Sequence, residues 1–174
     1  MKGSMLAMNA FLPCLQQVKT SVQQAALGEA AGVLNTRLGA FVATFQGDIA
    51  ALDTRSGRFI WKEKTSTAND LLSSRGKVIL IDEKDQVIAY SQNNGDLEWL
   101  NKDFYLRELT SPKKIKSLIV YGDFQGYLHV LDTNQGEQVA RQRISRSKII
   151  SVSVEEETVL ALDSKGKLSL FTLQ

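Results

Sequence analysis

The side chains able to do chemistry are few and far apart in this sequence. The single histidine, His129, stands in "YLHVL", where it alternates with apolar neighbours on an expected strand. General acid–base work would need a carboxylate or nucleophile paired with it, and none is obvious, so His129 reads as a structural or surface residue. The carboxylates are scattered at turns rather than paired. Cys14 is the only cysteine, which rules out a disulfide within the chain and, with one histidine, a Cys/His zinc cluster. No Walker A loop, G-x-G-x-x-G or H-E-x-x-H is present. No catalytic centre, metal site or cofactor is expected.

What remains is charge. "RQRISRSK" carries Arg141, Arg143, Arg146 and Lys148, and Lys113, Lys114 and Lys116 lie upstream. Arg141 and Arg143 are two apart and share one side of a strand. Few aromatic residues are interleaved, and edge strands carry charge to resist aggregation. The formal net charge is only +2. Nucleic acid is therefore not an expected partner.

The elements that hold these residues repeat. The turn glycines Gly57, Gly95 and Gly136 are separated by 38 and 41 residues. A second turn recurs ten residues before each, at Gly47, Asp85 and Gly126, and again at Gly166. Short apolar runs fill the gaps: "AFVATF", "KVILID", "SLIVYG" and "TVLALD", each followed by a second run such as "DIAALD" or "YLHVLD". A third strand follows in three copies ("RFIWKE", "DLEWLN", "EQVARQ"), and a further candidate precedes each unit, such as "ELTSP" at 108–112 and "KIISVSV" at 148–154. Four short strands per unit of about forty residues describe a propeller blade. The expected fold is all-β: a partial β-propeller of about four four-stranded blades over 34–174. Asp53 and Asp132 would accept backbone N–H groups at the start of a turn while Gly57 and Gly136 supply a positive φ. Trp61 and Trp99, at matching places on outer strands, would cover the gap between blades.

Residues 1–33 break the pattern and are expected to form a leader or a short helical or irregular segment. Leu15, Val18, Val22 and Ala26 make a helical stripe between Pro13 and Gly28. As a secretory signal the segment is poor: Asn9 interrupts its apolar run, and Pro13 rather than a small residue precedes Cys14. The first unit shows no recognisable inner strand and the fourth stops before its outer one. Such an open arc of about three and three-quarter blades would expose the apolar faces of its terminal blades, and self-association is the expected consequence.

The units resemble the quinoprotein-like (PQQ-like) propeller repeats, which carry Ala-x-Asp-x-x-x-Gly-x-x-x-Trp. Ala51, Asp53, Gly57 and Trp61 match fully. Ala89, Gly95 and Trp99 match, with Ser91 in place of the aspartate. Asp132 and Gly136 match, whereas Val130 and Ala140 do not. Within that group, "LIDEKDQVIAYSQNNGDLEW", "LRELTSP" and "VYGDFQGYLHVLD", in that order, resemble the C-terminal half of the BamB family, the eight-bladed lipoprotein propellers of outer-membrane β-barrel assembly. The resemblance covers roughly residues 38–174. It implies a periplasmic, outer-membrane-associated, non-catalytic scaffold that docks on the POTRA domains of BamA and helps deliver unfolded outer-membrane clients. It also implies partner contacts at Asp82 and Asp85 in "IDEKD" and at Arg107 before "ELTSP". "GEAAGVLNT" does not resemble the family's other docking loop. The rival readings are a truncated quinoprotein enzyme and a generic protein-binding propeller.

Overall fold

The computed structural model describes residues 30–172, which form fifteen strands and no helix. They group into four antiparallel sheets. Blade 1 comprises β1 (Ala30–Asn35), β2 (Ala40–Thr44), β3 (Asp48–Leu52) and β4 (Phe59–Lys64). Blade 2 comprises β5 (Leu72–Ser74), β6 (Lys77–Ile81), β7 (Val87–Ser91) and β8 (Leu97–Asn101). Blade 3 comprises β9 (Lys113–Ile115), β10 (Leu118–Gly122), β11 (Tyr127–Asp132) and β12 (Gln138–Arg143). Blade 4 has three strands, β13 (Ile149–Glu155), β14 (Thr158–Asp163) and β15 (Leu168–Thr172). Each strand pairs with its chain neighbour, which makes each blade a meander.

The middle strands are apolar on both faces because each blade is covered from two sides. In blade 2, Val78, Leu80, Ile88 and Tyr90 pack with Phe41, Ile49 and Trp61 of blade 1. The alternate residues Ile79, Ile81, Val87 and Ala89 pack with Ile119, Tyr121 and Leu131 of blade 3. Val120, Leu128 and Val130 of blade 3 meet Ile149, Val152, Val159 and Ala161 of blade 4. Strand period and burial are thus one fact: a period of two feeds two separate cores.

The same irregularity recurs in the outer half of blades 1–3. The register slips between Ala51 and Leu52, Ala89 and Tyr90, and Val130 and Leu131. A bulge here leaves Ile60, Glu98 or Val139 without an opposite number and re-aims the next residue, which is Trp61, Trp99 or Ala140.

Three expectations need correction. Blade 1 does have an innermost strand, β1, which crosses the boundary placed at residue 34. Its "AAGVLN" is poor in β-formers, but Gly32 lies so close to Asn69 and Leu71 that a Cβ would meet them at 3.0 Å. "ELTSP" is not a strand; the inner strand of blade 3 is β9. The N–H groups of Glu108 and Leu109 are taken by the Asp85 carboxylate, and Pro112 has none to offer. The apolar faces of the two terminal blades are not both exposed: Ala40, Val42, Ala50 and Leu52 on one face of blade 1 are buried, while Leu168 and Leu170 of blade 4 are 59% and 67% exposed. The helical stripe at 15–26, Pro13 and Cys14 lie outside the described residues.

Candidate functional site

The β6–β7, β10–β11 and β14–β15 turns share one construction. Asp82 Oδ1 accepts the N–H groups of Lys84 and Gln86, Asp123 Oδ1 those of Gln125 and Tyr127, and Asp163 Oδ1 those of Lys165 and Lys167. An aspartate two and four residues upstream of these donors is a local template for the turn. The position that must turn left-handed is Asp85 (φ 60°), Gly126 (φ 85°) or Gly166 (φ 81°). Asp85 adopts this conformation without being glycine because its carboxylate is anchored by the next connection.

That connection, 102–112, runs from blade 2 to blade 3 and is fixed to both. Leu106 N–H donates to Lys84 O at 3.1 Å, and Phe124 N–H donates to Arg107 O at 3.1 Å. Asp85 receives Glu108 N–H at 2.8 Å and Leu109 N–H at 2.9 Å. The Arg107 guanidinium donates from Nε to Asp123 Oδ2 at 2.9 Å, pairs with the same oxygen through Nη2, and reaches Gln125 Oε1 at 2.8 Å. So held, Leu106 (φ 52°) and Glu108 (φ 51°) both sit in the left-handed region, which costs a non-glycine residue about 1 kcal/mol. The loop presents Tyr105 and Leu106, 56% and 59% exposed, beside the exposed Phe124 ring that Arg107 overlies at 5.8 Å.

Asp123 is the centre of the seam. Its Oδ2 also accepts a hydrogen bond from His129 Nε2 at 2.8 Å, and both residues are buried. Burial raises its pKa, but the hydrogen bonds from His129, Tyr127 N–H and Arg107 outweigh burial and lower it to about 2. The sequence reading that left His129 without a carboxylate is therefore corrected. Tyr121 pairs with His129 across β10 and β11, which places Asp123 at the end of the same hairpin. His129 Nδ1 lies 3.2 Å from Gln138 Oε1, and Phe104 meets the imidazole edge-on with centroids 5.0 Å apart. Among the described residues the ring's hydrogen-bond partners are Asp123 and Gln138, neither of them a nucleophilic hydroxyl or thiol, and with His129 and Asp123 both sealed from solvent the pair serves to lock the seam. Tyr121 sits in the same cluster; its buried hydroxyl has no hydrogen-bond partner among the described residues, and burial raises its pKa well above the usual value.

Asp82 differs from its two equivalents. Burial raises its pKa despite the Gln86 and Lys84 N–H groups, and its second oxygen makes no hydrogen bond among the described residues. Of the three expected contact residues, Asp85 and Arg107 thus meet on one loop and shape it. Asp82, on the same β6–β7 turn as Asp85, keeps one carboxylate oxygen without a hydrogen bond among the described residues.

The motif residues form latches between blades. Trp61 Nε1–H donates to Gln92 O at 2.9 Å, and a Cβ on Gly95 would meet the indole at 2.8 Å. Trp99 Nε1–H donates to Thr133 O at 3.2 Å, and a Cβ on Gly136 would meet that ring at 2.4 Å. The tryptophan of one blade covers the turn glycine of the next, and Ala51 and Ala89 lie opposite the two tryptophans in the ladder. Gly57, Gly95 and Gly136 have φ of 67°, 78° and 71°. Asp53 Oδ1 accepts Arg55 and Ser56 N–H, and Asp132 Oδ2 accepts Asn134 and Gln135 N–H.

The model of the family described as outer membrane protein assembly factor BamB matches residues 17–171. The chain belongs to the BamB family. The Yersinia pestis outer membrane protein assembly factor BamB is 32% identical over 133 residues, which are 76% of this chain and 34% of that protein. The chain thus spans about a third of the length of the curated relatives it matches. The crystal structure of BamB from Moraxella catarrhalis superposes with a TM-score of 0.75 at 23% identity, over 81% of this chain and 42% of that one. Quinohemoprotein alcohol dehydrogenase from Comamonas testosteroni superposes with a TM-score of 0.57 at 20% identity, over 68% of this chain and 21% of that one. The last two are likenesses of fold alone. In this BamB-family chain, sequence reasoning missed Tyr105, Leu106 and Phe124. The signal was present as three large apolar residues in polar connections, "KDFYLRE" and "GDFQG".

Proposed function

We propose that this chain works as a non-catalytic scaffold of outer-membrane β-barrel assembly, in the periplasm at the outer membrane. It docks on the POTRA domains of BamA through the end of blades 2 and 3 and assists the insertion of unfolded outer-membrane clients. One observation carries the reading beyond family membership: Leu106 is held left-handed and exposed by a loop tied to two blades. A leucine so presented is a preorganised apolar anchor, because its backbone entropy is lost before binding. Asp82, with an unused carboxylate oxygen at the rim, offers an acceptor to a basic or amide group of the partner, while Asp85 and Arg107 keep the anchor in place. The chain acts without a cofactor, and nucleic acid is not its partner. The truncated-quinoprotein reading has only a likeness of fold behind it. Retention of the chain on immobilised POTRA domains tests the proposal. No retention at concentrations on the order of tens of micromolar would overturn it for this chain.

Self-association has its own observation. In blade 3, Val120, Leu128 and Val130 are buried by blade 4. By alignment of Asp123 with Asp163, their equivalents in blade 4 are Leu160, Leu168 and Leu170, and the last two are exposed. A second copy seated on this face would bury them. Light scattering on a size-exclusion column decides the point. A monomer that persists on concentration contradicts it.

A further inference from the structure

We propose that the depression between blades 3 and 4, lined by Arg143, Arg146, Lys165 and Lys167, binds a phosphate group. It is a shallow depression open to solvent, with a volume of about 540 Å³. Four cations and the single carboxylate of Asp163 line it, a net charge of +3. Asp163 offsets only one of these charges: Oδ1 accepts two backbone N–H groups and Oδ2 the Ser145 hydroxyl, and neither oxygen hydrogen-bonds to a cation among the described residues. None of the four cations pairs with a carboxylate among the described residues.

Two of the cations are positioned by main-chain carbonyls rather than left to wave. Arg143 Nε–H donates to Ser145 O at 3.1 Å, and Lys167 Nζ donates to Ile144 O at 3.1 Å. Each keeps further N–H donors for a ligand. The loop beneath is packed closely on the β10–β11 turn: a Cβ on Gly126 would meet Ser145 O at 2.3 Å, and Gly126 O accepts the Ile144 N–H. The preceding seam supplies the internal contrast. There Arg107 from the connection reaches the turn aspartate Asp123, and the charges cancel. Here Ser145 takes that place against Asp163, and the surrounding cations stay unpaired. A phosphate brings up to two charges and several acceptor oxygens to such a site, whereas one protein carboxylate brings a single charge. The phosphate could be free or carried on a lipid headgroup.

The test is an amide NMR titration with sodium phosphate against sodium chloride at matched ionic strength. It uses the wild-type chain and an Arg146→Glu/Lys165→Glu double variant, whose two positions are exposed. Expected is saturable movement of resonances in 143–147 and 163–167 with a Kd on the order of 1 mM, weakened about tenfold or more in the variant at unchanged melting temperature. Vesicles of phosphatidylglycerol and of phosphatidylcholine form the second arm. Sedimentation with the first alone, lost in the variant, assigns the phosphate to a lipid; response to free phosphate without sedimentation assigns it to a soluble ester. No localised shifts, shifts unaffected by the double substitution, or tighter binding of an oligoglutamate peptide than of phosphate would overturn the proposal.

Discussion

The seam between blades 2 and 3 and the seam between blades 3 and 4 are built from the same repeat and end with opposite surfaces. In the first, charge is turned inward. Arg107, Asp123 and His129 satisfy one another under the loop, Trp99 latches onto Gly136, and the surface left over is Tyr105, Leu106 and Phe124. In the second, Ala140 stands where the tryptophan was. Close approach of β13 replaces the latch: a Cβ on Gly122 would meet Ile149 at 2.4 Å, and Ile149 N–H donates to Asp123 O at 2.9 Å. The aspartate of that seam is satisfied by a serine hydroxyl and backbone, so the surface left over is cationic. The two seams differ in what the connection offers the turn aspartate, an arginine at Asp123 and a serine at Asp163.

The largest effect is expected at the latches. Trp61→Ala removes a buried indole tilted against the Phe41 ring, with centroids 5.8 Å apart, and its bond to Gln92, and should cost about 4 kcal/mol. Trp99→Ala, half-buried, should cost about 3 kcal/mol by the same reasoning. Ala140→Trp, on a fully exposed strand, should change stability by less than about 0.5 kcal/mol. Urea denaturation measures all three. A large effect of Ala140→Trp would mean that the third seam has a latch of another kind.

Asp123→Asn comes next, at about 3 kcal/mol, because it leaves Arg107 and His129 facing a neutral amide. The wild type should also show an acid limb. The folded-state pKa of Asp123 is depressed from its ordinary value of 3.8 to about 2. Its stabilisation is therefore present above pH 4 and is lost as pH falls through 4 towards 2, about 2 kcal/mol in all. Melting temperatures across that window should fall less steeply in Asp123→Asn. Equal slopes would remove Asp123 from the cause. A small effect of the opposite sign is expected of Tyr121→Phe, which deletes a buried hydroxyl without a partner among the described residues and should be neutral or stabilising by up to about 1 kcal/mol.

These residues also show what a reading of the sequence can reach. The turn spacing and the alternation in "KVILID" and "QVIAYS" carry the blades, because strand period and turn chemistry act locally. β1 was hidden because "AAGVLN" has little β-preference of its own and is held by pairing with β2 and by the fit of Gly32 against blade 2. The Asp123–His129 pair was hidden because a hairpin's register, rather than the interval of six residues, brings the two together. The two left-handed residues flanking Arg107 have no sequence signal at all; Leu106 and Glu108 are forced there by bonds to Lys84 O and Asp85.

The comparison of surfaces is tested most directly by the affinity of purified POTRA domains for three forms of the chain: wild type, Leu106→Gly and Leu170→Ser. Glycine accepts the φ of 52° at Leu106 without strain, so that variant should fold with an unchanged or slightly higher melting temperature while losing the anchor. Calorimetric titration should show Leu106→Gly weakened about tenfold or more, an anchor-sized loss, with Leu170→Ser bound as tightly as wild type. Undiminished binding by Leu106→Gly would contradict the assignment to blades 2 and 3, and a loss confined to Leu170→Ser would place the docking surface on blade 4 instead.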